Sequence, residues 1–158
     1  DLVAIRSQGV EVKNLLPPEM SEAPANSYAM RADKIVEMQD VMTGFLRAWA
    51  KGAYAGQADP KVVAAMTKKV APENWVREDL GMLFLENAVD LHSPDGEMFG
   101  ALRPEIWTGV QEEMVASGQL EKVIPPSEFL DDRFIAPAND FDKSEVEADL
   151  KAWADQNK

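Results

Sequence analysis

Apolar and polar residues alternate at one place near the start of the chain, and a second short segment there is also a candidate for extended structure. Residues 10–16 alternate before two consecutive leucines, and Pro17-Pro18 ends the segment. The second candidate, residues 26–30, follows a stretch that contains Pro24. Alternation with period two is typical of strands, and proline cannot extend a strand ladder. The pattern therefore predicts two short strands.

Most of the remaining chain carries apolar residues three and four positions apart, which is typical of helices with one buried face. Asp33 is the predicted N-cap of a long helix, and Asp59-Pro60 is the predicted cap and first residue of the next. A third helix is predicted over residues 73–91, and Pro104 and Gly118 bound a fourth. The predicted buried residues of the first helix are Ile35, Met38, Met42, Phe45, Leu46 and Trp49.

The two ends of the chain also have helix signals. Gly9 is a predicted left-handed cap for a helix end at residues 2–5. Ser144 and Glu147 form a predicted capping box, followed by a terminal helix whose predicted buried stripe is Val146, Leu150 and Trp153. The pattern thus predicts a mainly helical chain with only two strands. Because two short strands do not form a stable sheet by themselves, we expect them to pair with strands from elsewhere.

Charge narrows the classes of partner. The chain has 158 residues and a net charge of −12, from 28 acidic and 16 basic side chains. A negative field of this size repels nucleic-acid phosphates and anionic lipids, so no nucleic-acid partner is expected. No apolar run approaches the ~18 residues of a membrane span. The absence of cysteine excludes disulfides and thiolate chemistry.

One acidic turn could hold a hard cation. Asp90, His92, Asp95 and Glu97 surround the turn sequence Pro94-Asp95-Gly96. Their spacing does not match a calcium loop, in which oxygen ligands recur at fixed positions before a distant glutamate. We therefore interpret the turn as solvated, and no metal site is predicted.

Enzyme chemistry has little support in the sequence. The chain has a single histidine, no nucleophile-elbow serine and no glycine-rich phosphate loop. The neighbouring carboxylates Glu112-Glu113 point about 100° apart on a helix, so they do not converge on one substrate atom. The prediction is a protein that is not an enzyme, with no catalytic residue and no cofactor.

Tyr28 is the most informative candidate for ligand contact. It lies in the second predicted strand beside Asn26 and Ser27, directly after an irregular, proline-containing stretch. Hydrogen-bonding side chains at a strand end can fix the orientation of a solute in a cleft. The alternative is an edge strand whose polar groups are simply satisfied. The tryptophans, by contrast, lie on predicted apolar helix faces and are expected to pack in the core.

Several stretches between residues 9 and 135 follow one another in a recognisable order. They are G-V-E-V-K-N-L from Gly9, A-N-S-Y-A-M-R-A-D-K from Ala25, F-L-R-A-W-A-K-G from Phe45, R-P-E-I-W from Arg103 and E-F-L-D from Glu128. Their order and spacing resemble the periplasmic solute-binding proteins of ABC importers for nitrate, sulfonates, taurine and thiamine-pyrimidine precursors. In that family F-L-x-A-x-x-x-G recurs in a helix. The chain departs from the family in lacking a proline just after Asp33-Lys34.

The resemblance implies a fold and a role. The fold is α/β, and the chain is similar to the carboxy-terminal portion of a two-lobed periplasmic-binding-protein fold, predominantly helical in this fragment with two short strands. Residues 1–25 then form the end of the second lobe and a hinge strand, residues 26–141 the helical return to the first lobe, and residues 142–158 a terminal helix. The expected ligand-binding residues are Asn26, Ser27 and Tyr28.

The expected partners and location follow from the same family. A small-molecule solute is captured between the lobes and delivered to an ABC permease in the membrane, and the protein is periplasmic or lipid-anchored outside the cytoplasm. Open strand edges also predict a homodimer. Two alternatives stay open: a free-standing helical interaction module, and a pyrimidine-synthase-like enzyme of the same fold. The enzyme branch uses a cysteine-rich motif, which this chain lacks.

Overall fold

The computed structural model describes residues 2–13, 15, 27–92 and 98–157. In these residues it has α-helices and short 3₁₀ turns and no strand. The helices are α1 (Leu2–Arg6), α2 (Ala32–Ile35), α3 (Gln39–Ala58), α4 (Pro60–Val70), α5 (Glu78–Leu91), α6 (Pro104–Ala116), α7 (Ile135–Asn139) and α8 (Lys143–Gln156). The 3₁₀ turns are Pro72–Trp75 and Pro126–Glu128.

The expectation of an α/β fold with two short strands is therefore wrong. Residues 10–13 and 27–30 have no regular secondary structure, and no backbone hydrogen bond joins them to another described segment. Leu15 has no regular secondary structure either, and Asn14, Leu16 and Asn26 lie outside the described residues. An alternating pattern produces a strand only when a neighbouring ladder satisfies its backbone groups, and the described chain provides none.

Helix α3 is the centre of the fold. It contacts α4, α5, α7 and α8. Ala50, near its middle, is 0% exposed. The buried apolar residues are Ala50, Ala64, Phe99, Phe134, Ala138, Val146 and Leu150. Three of these are alanines, and no large side chain among the described residues is fully buried. The core is accordingly thin.

The long helix predicted from Asp33 is divided in the structure. Helix α2 ends at Ile35, a turn follows, and α3 starts at Gln39. Asp33 does not cap a helix; it lies in the first turn of α2 and pairs with Arg31 at 2.9 Å. Phe45, predicted to be buried, is 47% exposed. The apolar spacing was correct for a helix, but it did not identify which face is covered.

The predicted ends of α4 and α6 are confirmed. The Asp59 side chain accepts hydrogen bonds from the Lys61 and Val62 backbone N–H groups at 3.1 and 3.0 Å. At the end of α6, Gly118 has a φ of 76°, a left-handed conformation that suits glycine. The Gln119 N–H donates to the Met114 carbonyl at 2.8 Å, which completes a Schellman cap.

The helix predicted over residues 73–91 begins later than expected. Pro72–Trp75 forms a 3₁₀ turn, and α5 starts at Glu78. The Trp75 ring folds back onto Gly81, where a Cβ atom would lie 2.5 Å from Trp75 Cε3. Because Gly81 has no side chain, the Trp75 ring can pack directly against its backbone, and the 3₁₀ turn lies in contact with α5.

Helix α7 was not predicted, because Pro137 interrupts its helical pattern. Its anchor is instead tertiary: the Nε and Nη2 atoms of Arg47 donate to the Pro137 carbonyl at 3.0 and 2.8 Å. The terminal helix is confirmed, with Val146 and Leu150 buried. The predicted capping box is wrong.

The residue that caps α8 is Asp142. It accepts hydrogen bonds from the Ser144 N–H at 2.8 Å and the Ser144 hydroxyl at 2.7 Å. Glu147 is not part of the cap, because it accepts a hydrogen bond from the Tyr54 hydroxyl of α3. This bond raises the pKa of Tyr54. The reciprocal Ser144–Glu147 pair of a capping box is therefore not formed. Asp142 caps the helix through Ser144, and Glu147 instead bonds to Tyr54 on α3.

Two side-chain amides hold loops to helices. Gln111 donates to the Ile124 carbonyl at 3.0 Å and accepts from the Ile124 N–H at 2.8 Å. Asn139 makes the same reciprocal pair with Phe99, at 3.0 and 2.9 Å. Each amide thus satisfies both backbone groups of one loop residue, as a neighbouring strand would in a sheet. In the described part of the chain, no helix has the length and apolar character needed to cross a membrane.

Candidate functional site

The candidate site is an aromatic cluster in which Tyr28 lies against Phe45 and Trp49 of α3. The Tyr28 ring lies edge-on to Phe45, with centroids 5.1 Å apart and planes at 89°. It lies edge-on to Trp49 at 6.3 Å and 81°. Tyr28 is 57% exposed, so much of its surface remains open despite both contacts. The cluster has the geometry that aromatic rings prefer, and it leaves ring surface available to a planar or apolar ligand.

His92 extends the cluster from the other side. Its ring lies 5.4 Å from Trp49 at an interplanar angle of 77°. Its Nδ1 atom is 2.6 Å from the Ala88 carbonyl oxygen, and its own carbonyl accepts a hydrogen bond from Gln57 at 3.4 Å. The single histidine of the chain therefore joins the end of α5 to α3. Its imidazole contacts a ring and a backbone carbonyl, an arrangement suited to packing rather than to proton transfer.

A small apolar crevice lies next to His92, between α3, α4 and α5. Its volume is about 110 Å³, and its walls are mainly small or aliphatic: Gly52, Ala53, Gly56, Val63, Leu85, Ala88, Val89 and His92. A crevice of this size admits a single small apolar group and offers few polar partners. It is an extension of the aromatic cluster and too small to be the site of a larger solute.

The basic groups nearest in sequence to the cluster already have partners. Arg31 forms a bidentate pair with Asp33, at 2.9 Å through both nitrogens. The hydrogen bond from Arg31 lowers the pKa of Asp33. Arg47 is bound to the Pro137 carbonyl, and Lys34 pairs with Glu37 at 2.6 Å. The described surroundings of Tyr28 therefore offer aromatic faces and a hydroxyl group, with their cations engaged elsewhere.

The sequence-predicted ligand residues are only partly described. Ser27 is exposed and lies next to Tyr28 in an irregular segment, while Asn26 lies outside the described residues. The structure adds two residues that sequence reasoning had assigned to the core, Phe45 and Trp49. Their contact with Tyr28 could not be read from spacing, because it joins a loop to a helix. The aromatic character of all three was the only available signal.

Most of the acidic turn lies outside the described residues. Asp95 and Glu97 lie outside the described residues, and Asp90 is exposed on α5. Among the side chains that are described, no group of three or more histidines and carboxylates could hold a metal ion.

A wider concavity of about 700 Å³ lies near the start of the chain. Among the described residues, Arg6 and residues 9–13 line it, and these come from one short stretch of chain. A binding pocket brings together groups from several elements. The described lining of this concavity does not, and we assign no ligand to it.

Comparison with known proteins does not identify a family. No protein-family model matches the chain, and no match to it is found among curated proteins or solved structures.

Proposed function

We propose that the chain is part of the solute-binding component of an ABC importer, which captures a small molecule outside the cytoplasm and delivers it to a membrane permease. The proposal rests on the order of landmarks that resemble the nitrate, sulfonate, taurine and thiamine-pyrimidine binding proteins. The F-L-R-A-W-A-K-G stretch lies inside α3, and Asp59-Pro60 opens the helix that follows it, α4. The strands that the resemblance implied are not part of the proposal.

The observation that carries the proposal at the level of residues is the exposed aromatic cluster. Tyr28 remains more than half exposed while two rings pack against it, and the exposed Ser27 precedes it in the chain. A fixed aromatic ring with a neighbouring hydrogen-bonding group is a typical wall of a solute site, because it loses little conformational entropy on binding. Ser27 and Tyr28, together with Asn26, are the proposed solute contacts.

The test starts with a solute screen on the intact chain. Nitrate, taurine, an aliphatic sulfonate and a hydroxymethyl-pyrimidine are compared by thermal shift. A solute at 100 times its dissociation constant adds about 2.7 kcal/mol to the bound fold, which is easily detected. A positive result supports solute binding. If no compound of these classes shifts the transition, the proposal is wrong for this chain.

Calorimetry then tests the residue assignment. Tyr28→Ala is expected to weaken binding of the solute found in the screen at least tenfold, about 1.4 kcal/mol. The matched control is Tyr54→Ala, because Tyr54 is the only other tyrosine and bonds to Glu147 on α8. Equal affinity for the wild type and Tyr28→Ala would remove Tyr28 from the site while leaving the solute assignment intact.

A free-standing helical interaction module is the second candidate function. The observation that favours it is a row of exposed, uncharged residues along α3, which includes Val41 at 63% exposure. This function predicts a stable folded chain that responds to none of the screened solutes. The pyrimidine-synthase-like alternative is not proposed, because the chain has none of the cysteines that its motif requires.

A further inference from the structure

One long face of α3 is apolar and largely exposed, although the Tyr28 ring packs edge-on against Phe45 within it. This outer face consists of Val41, Gly44, Phe45, Ala48 and Gly52, all of them exposed. Val41 is 63% and Phe45 47% exposed. The steps of four, three and four residues from Val41 to Gly52 place these side chains in one row along the helix. None of them is charged, although the chain as a whole has a net charge of −12.

The outer face changes in size along its length. Its amino-terminal half carries the large side chains of Val41 and Phe45, and its carboxy-terminal half carries only Ala48 and Gly52. When two copies of such a face meet with their helices antiparallel, each large residue lies opposite a small one. Phe45 of one copy then lies opposite Ala48 of its partner, and Val41 opposite Gly52. Parallel packing would instead oppose like sizes, with a crowded end and an empty end.

We propose that the outer face of α3 binds the same face of a second copy of this chain, with the two helices antiparallel around a two-fold axis. In this arrangement the interface is isologous, so each contact occurs twice. The proposal does not depend on solute binding. It also replaces the earlier expectation of a homodimer through strand edges, since the described residues contain no strand.

The charges beside the outer face fit the same arrangement. Pairing Phe45 with Ala48 brings Lys51 of one copy alongside residue 42 of the other. Asp40 lies two residues from that position, about 3 Å along the helix axis at 1.5 Å per residue. Lys51 is a cation beside the carboxy-terminal half of the face, and Asp40 is an exposed anion at the start of α3. The antiparallel pair therefore brings opposite charges together twice, whereas parallel pairing would separate them.

Gly52 allows a test of the interface. A Cβ atom added at Gly52 meets nothing within 4 Å, and although Gly52 also lines the crevice beside His92 it is exposed, so in the dimer a larger side chain there occupies the space of the partner's Val41. Gly109 on α6 is equally open and lies away from this face, which makes it the matched control. We expect the wild type and Gly109→Leu to show a concentration-dependent dimer by sedimentation velocity. Gly52→Leu should raise the dimer dissociation constant at least tenfold.

Cross-linking tests the geometry. The chain has no cysteine, so each introduced thiol is unique. A mixture of Val41→Cys and Gly52→Cys proteins should give a covalent heterodimer with a short bismaleimide. Either variant alone should give little, because its two thiols lie 11 residues apart along the helix axis, about 16 Å.

The outcomes decide the proposal. A wild-type chain that stays monomeric up to its solubility limit overturns it. A dimer that Gly52→Leu does not weaken, or that cross-links equally well with either single variant, also overturns it, because such a dimer uses another surface or another orientation. Loss of the dimer in Gly52→Leu with efficient heterodimer cross-linking supports it. Circular dichroism of Gly52→Leu confirms that the protomer is folded.

Discussion

At the scale of single residues, Gly81 and the buried amide of Gln111 make close contacts that hold neighbouring segments together, whereas no large apolar side chain of the described residues is fully buried. Gly81 is buried because the Trp75 ring lies directly against its backbone. Gln111 is 7% exposed and satisfies both backbone groups of Ile124. Neither role is visible from hydrophobic spacing, because each depends on a partner several residues away. Both can be measured by single substitutions.

Gly81→Ala is expected to destabilise the fold. The added methyl group would lie 2.5 Å from Trp75 Cε3, so the ring or the helix must move. Overpacking of this type costs about 1–3 kcal/mol, which exceeds the gain of up to about 1 kcal/mol in helix propensity. Urea unfolding measures the difference. The control is Gly109→Ala, where the methyl group enters open space and stability should rise. Equal gains at both positions would show that the Trp75 contact is not close in solution.

Gln111→Ala is expected to lower the free energy of unfolding by about 1–3 kcal/mol, because the N–H and C=O groups of Ile124 lose their partners. Gln39→Ala is the matched control, since Gln39 is an exposed glutamine at the start of α3. Amide hydrogen exchange provides a second readout. The Ile124 amide should exchange faster in Gln111→Ala alone. Unchanged protection at Ile124 would contradict the proposed clamp.

At the scale of elements, short local motifs correctly predicted some helix ends. Asp59 caps α4 and Gly118 ends α6, each through hydrogen bonds to residues within five positions. The start of α8 shows the limit of this reasoning. Ser144 and Glu147 fit a capping box in sequence, but Asp142 caps the helix and Glu147 binds Tyr54 on α3.

The Asp142 cap predicts a pH-dependent contribution to stability. Hydrogen bonds from the Ser144 hydroxyl and backbone N–H lower the pKa of Asp142 in the folded chain. A lowered folded-state pKa means that the contribution is present above the unfolded value of about 3.9 and is lost as pH falls through the folded value. Wild type should therefore be more stable than Asp142→Asn at neutral pH, and the difference should disappear in acid.

Urea unfolding at about pH 7 and about pH 2.5 measures this difference. Asparagine keeps a capping oxygen, so the substitution removes only the charge and its titration. Asp149→Asn, at an exposed position in the same helix, is the control for the loss of one negative charge. A difference between wild type and Asp142→Asn that persists unchanged in acid would contradict the cap.

At the scale of the whole molecule, we expect repulsion from the net negative charge to affect stability more than the local ion pairs do. The described salt bridges are exposed, and most join residues two or three positions apart, such as Arg77 with Asp79. Exposed pairs of this type contribute roughly 0–1 kcal/mol each. The net charge of −12, by contrast, destabilises the compact state, because folding brings the negatively charged side chains of different helices closer together.

Added salt is therefore expected to stabilise the chain. At about 0.15 M ionic strength the Debye length falls to about 8 Å, which screens the long-range repulsion more than the close pairs. The melting temperature should rise between low and physiological concentrations of sodium chloride. Measuring it at a protein concentration where the chain is monomeric separates this effect from self-association. A melting temperature that falls with salt would show that the ion pairs dominate.

What the sequence determined by itself was local. Helical spacing predicted α4, α6 and α8. Asp59-Pro60 marked the start of α4, Gly118 the end of α6, and Val146 with Leu150 the buried face of α8. Each of these signals acts within a few residues of its own position. Tertiary structure decided the rest. The two predicted strand segments have no neighbouring strand to pair with in the described chain. Arg47 of α3 holds α7 through the Pro137 carbonyl, and Phe45 is exposed with the Tyr28 ring against it. Burial and strand pairing depend on partners distant in sequence, so the same pattern can be satisfied in more than one way until those partners are in place.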